Sequence, residues 1–317
     1  NSHEKRKKSG LILLSGTFPV LITGIGQSFF NWHGPFEILN GLIVWYQRPL
    51  DGITGLTGLF NNPNYAGCWL NVIWPFCLAA LIEKSSNFIK NIAVYFFIFG
   101  ISLSIILTNS RSAWIGILLG SLLMFGVKSF KLILIIIFIL TIIFGASIFP
   151  IFGEDIQYYL QAIIPEPTLF EFSNFQYSRI EIWKSGIDLT FNHPFFGTGA
   201  NSFPEIFQYQ TNLWKGHAHN LPLELMVSYG IPAALMIFIP IAILTLQTVK
   251  LKMSNKKKLG SDIYDKAWIS TLRILLFSQM VDVQYFDGRI SIILWILLSG
   301  ARNILDEEKK YITRKIN

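Results

Sequence analysis

Of the 317 residues, 52% are hydrophobic and only 14% charged, where a soluble globular domain carries about a quarter of its residues as charges, so the composition points to lipid as solvent. The net charge of +7 does not mark a nucleic-acid binder, because Lys and Arg fall in short clusters between apolar runs rather than along one face. The two cysteines, Cys68 and Cys77, sit in one apolar run about 13 Å apart along a helix axis, which excludes a bridge between them and any disulfide framework.

The opening segment, with Lys5, Arg6, Lys7 and Lys8, superficially resembles the charged region of a signal peptide. The run that follows, residues 10–30, is long enough to cross a bilayer and has no small-residue cleavage site, so it is read as a membrane helix. The chain starts at Asn1 without a methionine, and a fragment or processed form is expected. Residues 35–46 are apolar but too short to cross, and are expected to lie in the interface. With about 20 apolar residues per crossing as the yardstick, further spans are predicted over 65–82, 89–108, 112–127, 130–152, 221–249, 267–285 and 290–304, the fourth and eighth being short. The expected fold is an all-α, polytopic membrane helical bundle of about eight spans. Residues 1–152 form its N-terminal membrane helices with the interfacial segment, 153–220 a long extracytoplasmic loop containing short amphipathic helices, and 221–317 the C-terminal membrane helices and a cytoplasmic tail.

Orientation follows from the positive charge, which resists translocation. With the N-terminus inside, every inner loop of an eight-span alternation carries a positive cluster, and most of the 26 basic residues fall there. The outer segments hold Arg48, Arg111, Arg179, Lys184, Lys215 and Arg289, while Arg273 is left inside a helix. The chain is therefore placed in the cytoplasmic membrane with its unusual polar residues on the extracytoplasmic face.

Among those residues, Arg111 lies in a tight turn between two helices and Arg179 begins an amphipathic segment. Two guanidinium groups offer planar, bidentate donors to a diphosphate, although each could instead cap a helix or bind lipid phosphate. The segment from His217 through His219 and Asn220 to Glu224 opens the sixth span, with Pro222 suited to a first helical turn. A histidine beside the positive helix end is discouraged from taking a proton and is available as a general base, and the bland alternative is a hydrogen bond to a loop carbonyl. A metal site built on His-x-His finds no third ligand within obvious reach along the sequence. Asn62-Pro63-Asn64 reads as a turn with an N-cap, and capping alone accounts for it. The Gly197-Thr198-Gly199 turn permits close backbone approach and is a very weak phosphate loop. Asp282, Asp287 and Arg289 either form ion pairs or orient a catalytic group.

The ordered set of motifs resembles the O-antigen ligase and polymerase family of bacterial membrane glycosyltransferases. It runs from Gly58-Leu-Phe-Asn-Asn-Pro-Asn-Tyr-Ala-Gly67 to Thr108-Asn-Ser-Arg-Ser-Ala-Trp114, then to Arg179, Trp183 and His193-Pro-Phe-Phe-Gly-Thr-Gly199, and ends in His217-Ala-His-Asn-Leu-Pro-Leu-Glu224. The resemblance implies a lipid-linked oligosaccharide donor on undecaprenyl diphosphate and transfer to a glycan, lipid or protein acceptor outside the membrane, with no metal, cofactor or nucleic acid. It also implies that Arg111 and Arg179 match the diphosphate-binding arginines and His219 the proposed base. The remaining polar residues of the same motifs and turns, Asn62, Asn64, His217, Asn220 and Asp282, complete the expected substrate-binding set. Family members carry more membrane helices before the Asn-Pro-Asn motif, which leads us to expect sequence ahead of Asn1.

A transporter of bicarbonate or another small anion is the alternative, a reading attached to a cyanobacterial branch of the family. Transporters place ionisable residues near the midplane, whereas these spans are nearly free of charge apart from Arg273 and the polar groups crowd one surface, which favours the transferase. A purely structural scaffold would leave the outer loop and its histidines without a role.

Overall fold

The apolar runs form helices, as they must where lipid offers backbone groups no hydrogen bonds. The computed structural model describes residues 2–50, 55–83, 86–126, 153–163, 179–254 and 263–316, with scattered positions between 131 and 143. The helices are α1 (Ser2–Gly16), α2 (Phe18–Phe30), α3 (Pro63–Glu83), α4 (Phe88–Leu107), α5 (Arg111–Phe125), α6 (Glu154–Ile163), α7 (Arg179–Asn192), α8 (Phe203–Thr211), α9 (Leu221–Ser254), α10 (Ile263–Gln279) and α11 (Gly288–Ile316). Among the described residues five stretches are long and apolar enough to cross a membrane: His3–Phe30, Pro63–Glu83, Phe88–Leu107, Leu221–Val249 and Gly288–Lys310. The chain is an all-α, multi-pass membrane protein. The expected span over 130–152 lies outside the described residues.

Three local differences from expectation have physical causes. The first apolar run is broken at Thr17, after which Pro19 occupies the first turn of α2, where its missing N–H costs no hydrogen bond. Residues 35–46, expected only as an apolar interfacial stretch, form a β-hairpin, β1 (Phe36–Ile38) antiparallel to β2 (Ile43–Trp45), with Leu39 and Asn40 both at positive φ in its turn. Its apolar side chains Leu39, Leu42 and Ile43 remain exposed. The expected span over 267–285 ends early, because α10 stops at Gln279 and the next residues turn. There the Tyr285 N–H donates to Gln279 Oε1 at 3.2 Å, and the Asp282 N–H to the Ser278 carbonyl at 3.1 Å.

The chain divides into two units interleaved in sequence, one of residues 1–15, 71–91 and 177–317, the other of 16–70 and 92–176. In the second unit Gln27 is a buried tie. Its Nε2 donates to the Arg48 carbonyl at 2.8 Å, and its Oε1 accepts from the N–H groups of Thr57 and Gly58 at 2.9 and 3.2 Å. In the first unit α9, α10 and α11 pack together, and α7 lies against α9.

The position of α7 depends on a bend. Gly230, at φ +85, interrupts the helical backbone of α9 and frees carbonyls that need donors. The Thr198 and Gly199 N–H groups supply them, bonding the carbonyls of Val227 and Ser228 at 2.7 and 3.1 Å, while the Ile231 N–H reaches the Pro194 carbonyl at 2.8 Å. A Cβ on Gly197 would lie 2.5 Å from the Val227 carbonyl oxygen and one on Gly230 2.3 Å from that of Phe195, so both positions exclude a side chain. The His193–Gly199 loop is thus threaded onto the α9 bend, and its close backbone approach serves packing.

Candidate active site

An apolar cluster beneath the loop that precedes α9 sets the direction of its side chains. Ile182 and Leu189 of α7, Phe203 and Phe207 of α8, and Leu223 and Val227 of α9 bury Ala218 among them. With Ala218 in the core and its N–H donated to Glu224 Oε2 at 2.8 Å, the flanking histidines are held at the edge of that core. His219 adopts φ +51, an uncommon left-handed conformation for a residue with a Cβ, and so marks a constrained site. Asn220 then caps α9. Its Oδ1 accepts the Leu223 N–H at 3.0 Å, and its Nδ2 donates to the Met280 carbonyl at 2.9 Å, joining this loop to the turn after α10.

That turn delivers Asp282, which is 1% exposed. His219 Nδ1 lies 2.9 Å from Asp282 Oδ1 and His217 Nε2 lies 3.6 Å from the same oxygen, which also accepts the Val283 N–H at 3.0 Å. The two rings meet edge-on with centroids 4.3 Å apart. Because the His219 N–H donates to His217 Nδ1 at 3.2 Å, that nitrogen is an acceptor and the His217 proton sits on Nε2, facing Asp282. The His219 proton likewise belongs on Nδ1, which leaves Nε2 as the basic nitrogen.

Burial pushes the His217 imidazole down to about 4. The Asp282 charge opposes that fall, while His219 and the Arg179 guanidinium add to it. Burial raises the Asp282 carboxyl, but the His219 hydrogen bond, the two imidazoles and the Val283 N–H together hold it below the usual carboxylate range. At neutral pH the arrangement is therefore an anionic carboxylate orienting imidazoles, of which His217 is neutral. A hydrogen bond to such a charged group contributes roughly 1.5–3 kcal/mol.

The cluster also corrects one expectation. Asp282 is the third ligand that the local sequence around His-x-His did not show, and the donor atoms of His217, His219 and Asp282 all lie within 4.8 Å of one another. The 2.9 Å separation of His219 Nδ1 and Asp282 Oδ1 is a hydrogen-bond length, closer than the roughly 3.3 Å expected between two ligands on a tetrahedral zinc with bonds near 2.0 Å.

The other expected site residues fall as follows. Arg179, the first residue of α7, is exposed and near enough to act electrostatically on His217. Arg111, Asn62 and Asn64 belong to the second unit. There Asn62 Oδ1 accepts the Asn64 N–H at 2.8 Å at the start of α3, and Asn64 Oδ1 accepts the Ser110 hydroxyl at 2.8 Å, one residue before Arg111 opens α5. Gly67 lets α3 and α5 approach closely, since a Cβ there would stand 2.6 Å from that of Ala113. Asp287 and Arg289 form an ion pair with each other at 2.6 Å. Glu224, in the first turn of α9, is buried and accepts the Ala218 N–H.

Residues 95–238 match the family described as O-antigen ligase. Over 193 residues the chain is 30% identical to the ComP-specific O-oligosaccharyltransferase of Acinetobacter baylyi, a match that covers 58% of this chain and 34% of that relative. The chain thus spans about a third of the length of the relative it matches.

Proposed function

We propose, from the match of residues 95–238 to the O-antigen ligase family, that the chain transfers or polymerises a glycan from an undecaprenyl-diphosphate carrier onto an acceptor hydroxyl at the outer face of the cytoplasmic membrane. The observation that carries this reading is the 2.9 Å contact of His219 Nδ1 with buried Asp282, which makes Nε2 the acceptor of a proton. In the proposed step Nε2 takes the acceptor's hydroxyl proton and the freed oxygen attacks the anomeric carbon. The bond from that carbon to the diphosphate oxygen breaks, and the lipid diphosphate departs with the electron pair. Fixed guanidinium groups stabilise the departing charge, and we assign Arg111 and Arg179 to this task, each on the chemistry of its planar fork. Asn62, Asn64, His217 and Asn220 are assigned to holding the substrate. Asp282 positions the base. The acceptor is a glycan, a lipid or, as the name of the Acinetobacter relative specifies for that protein, a hydroxyl of a protein partner.

The test compares lipid-linked and surface glycan in cells carrying the wild type and His219→Ala at matched protein levels. Loss of transfer by about a hundredfold or more, with the carrier lipid still bound, is expected. Unchanged glycan would remove the base assignment, and altered solute uptake with unchanged glycan would favour a transporter. The proximity of three metal-ligating side chains supports one second reading, a metal-assisted transfer. Activity lost in chelator and restored by a divalent cation would select it over the dyad.

A further inference from the structure

Among the described residues Arg273 has no carboxylate partner. Arg273 lies in the middle of α10 among Leu272, Ile274 and Leu275, all buried. Its Nη2 makes a single contact with a neutral group, 3.3 Å to the Thr248 hydroxyl oxygen, while its buried Nε has no hydrogen-bond partner. Asp265, the acid on the same helix, is taken up by Arg6. A guanidinium carries five donors and never deprotonates in a protein, so one half-buried among apolar side chains calls for an anion.

The depth of the group says which anion. Side chains on a helix lean toward its N-terminus, so Arg273 extends toward the end of α10 that begins at Ile263. Thr248, its partner, is one residue short of the end of the apolar stretch Leu221–Val249 on α9. Lys250 and Lys252 follow in the sequence. The guanidinium thus reaches the level at which the apolar part of α9 ends, where lipid headgroups lie. Basic pockets between membrane helices at this depth suit phosphate headgroups, and the planar fork fits a phosphodiester.

We infer that Arg273, oriented by Thr248, binds the phosphate of an anionic phospholipid in the leaflet where α9 ends. The site uses the Thr248 end of α9, whereas the Asp282 turn meets the other end of that helix at His219 and Asn220, and it is independent of the glycan-transfer reading.

The test uses the full chain purified in detergent, with phosphatidylglycerol or phosphatidylcholine added and retained lipid read by native mass spectrometry. Wild type should keep phosphatidylglycerol in preference to phosphatidylcholine, and Arg273→Gln should keep it about tenfold less, the weight of one charge-assisted contact. Arg273→Lys, which retains the charge without the fork, should fall between them and carries the test if the Gln variant does not insert. Equal retention by wild type and either variant overturns the proposal. Displacement of the lipid by inorganic phosphate alone would assign the group to a soluble anion and overturn it equally.

Discussion

Two buried carboxylates stand at opposite ends of α10, and they are treated in opposite ways. Asp265, near its start, receives both faces of one guanidinium, Arg6 Nε at 2.6 Å and Nη2 at 2.8 Å. Two further N–H groups of Arg6 are taken by Asn303 and Glu307, each at 2.8 Å, so that four of its five donors are used, and its carbonyl accepts the Trp268 indole N–H at 3.1 Å. Close by, Lys7 and the Tyr264 hydroxyl both bond Glu83. Asp282, just past the other end, instead faces two imidazoles. A guanidinium keeps its charge at every working pH, so the first cluster is a permanently charged staple of α1, α10 and α11. An imidazole can gain or lose its proton, so the second is poised for proton transfer.

The largest effect should come from breaking the staple. Arg6→Met removes the guanidinium that pairs buried Asp265, leaving only His3 Nδ1 at 3.7 Å, and should cost about 3–5 kcal/mol of stability, measured by denaturation of the purified protein in detergent. Adding Asp265→Leu should return part of that loss, because an uncompensated buried charge rather than a missing attraction is what destabilises. A small loss in the single variant would erase the contrast between the two ends.

Next in size is the effect of Asp282→Asn. The amide can no longer hold the His219 proton on Nδ1, so glycan transfer should fall about a hundredfold, while stability should suffer less than in Arg6→Met. Measured transfer near wild type would reduce Asp282 to a packing group and leave two structural staples in place of one.

How far these ends could be read in the sequence differs for the same reason. Continuous apolar runs mark helices locally, so 65–82 and 89–108 fall within two residues of α3 and α4. The expected span to residue 285 overran because Met280, Val281, Val283 and Tyr285 extend the apolar run, while the buried side chains of Gln279 and Asp282, which close the turn, carry no periodic signal. The hairpin did announce itself in Asn40-Gly41, a strong turn pair that low polarity around it obscured. Asp282 reads in the sequence as a residue that either forms an ion pair or orients a catalytic group, but its pairing with His219 spans 63 positions and no local pattern reports it. Arg6 counted as one more inner positive charge, and its partners lie more than 250 positions away. The usable signal was an arginine among lysines, together with acids at the ends of apolar runs.

The smallest effect, and the sharpest discriminator, concerns pH. His217 titrates at about 4 in the folded protein against 6.5 for an ordinary histidine, chiefly through burial. As pH falls from 6.5 the unfolded chain takes up this proton before the folded one does, so stability must fall through the window down to about 4. The expected loss is about 1 kcal/mol between roughly pH 6.5 and 5.5, and the Asp282 contribution goes only on further acidification, since its carboxyl sits below the usual range. His217→Asn can still accept the His219 N–H while removing the titration. The variant should therefore show a flatter thermal midpoint across that window than the wild type, with only a mild loss of transfer. Identical pH slopes in the two proteins would mean that His217 is charged when folded, and that the Asp282 end of α10 is held by an ion pair as the Asp265 end is.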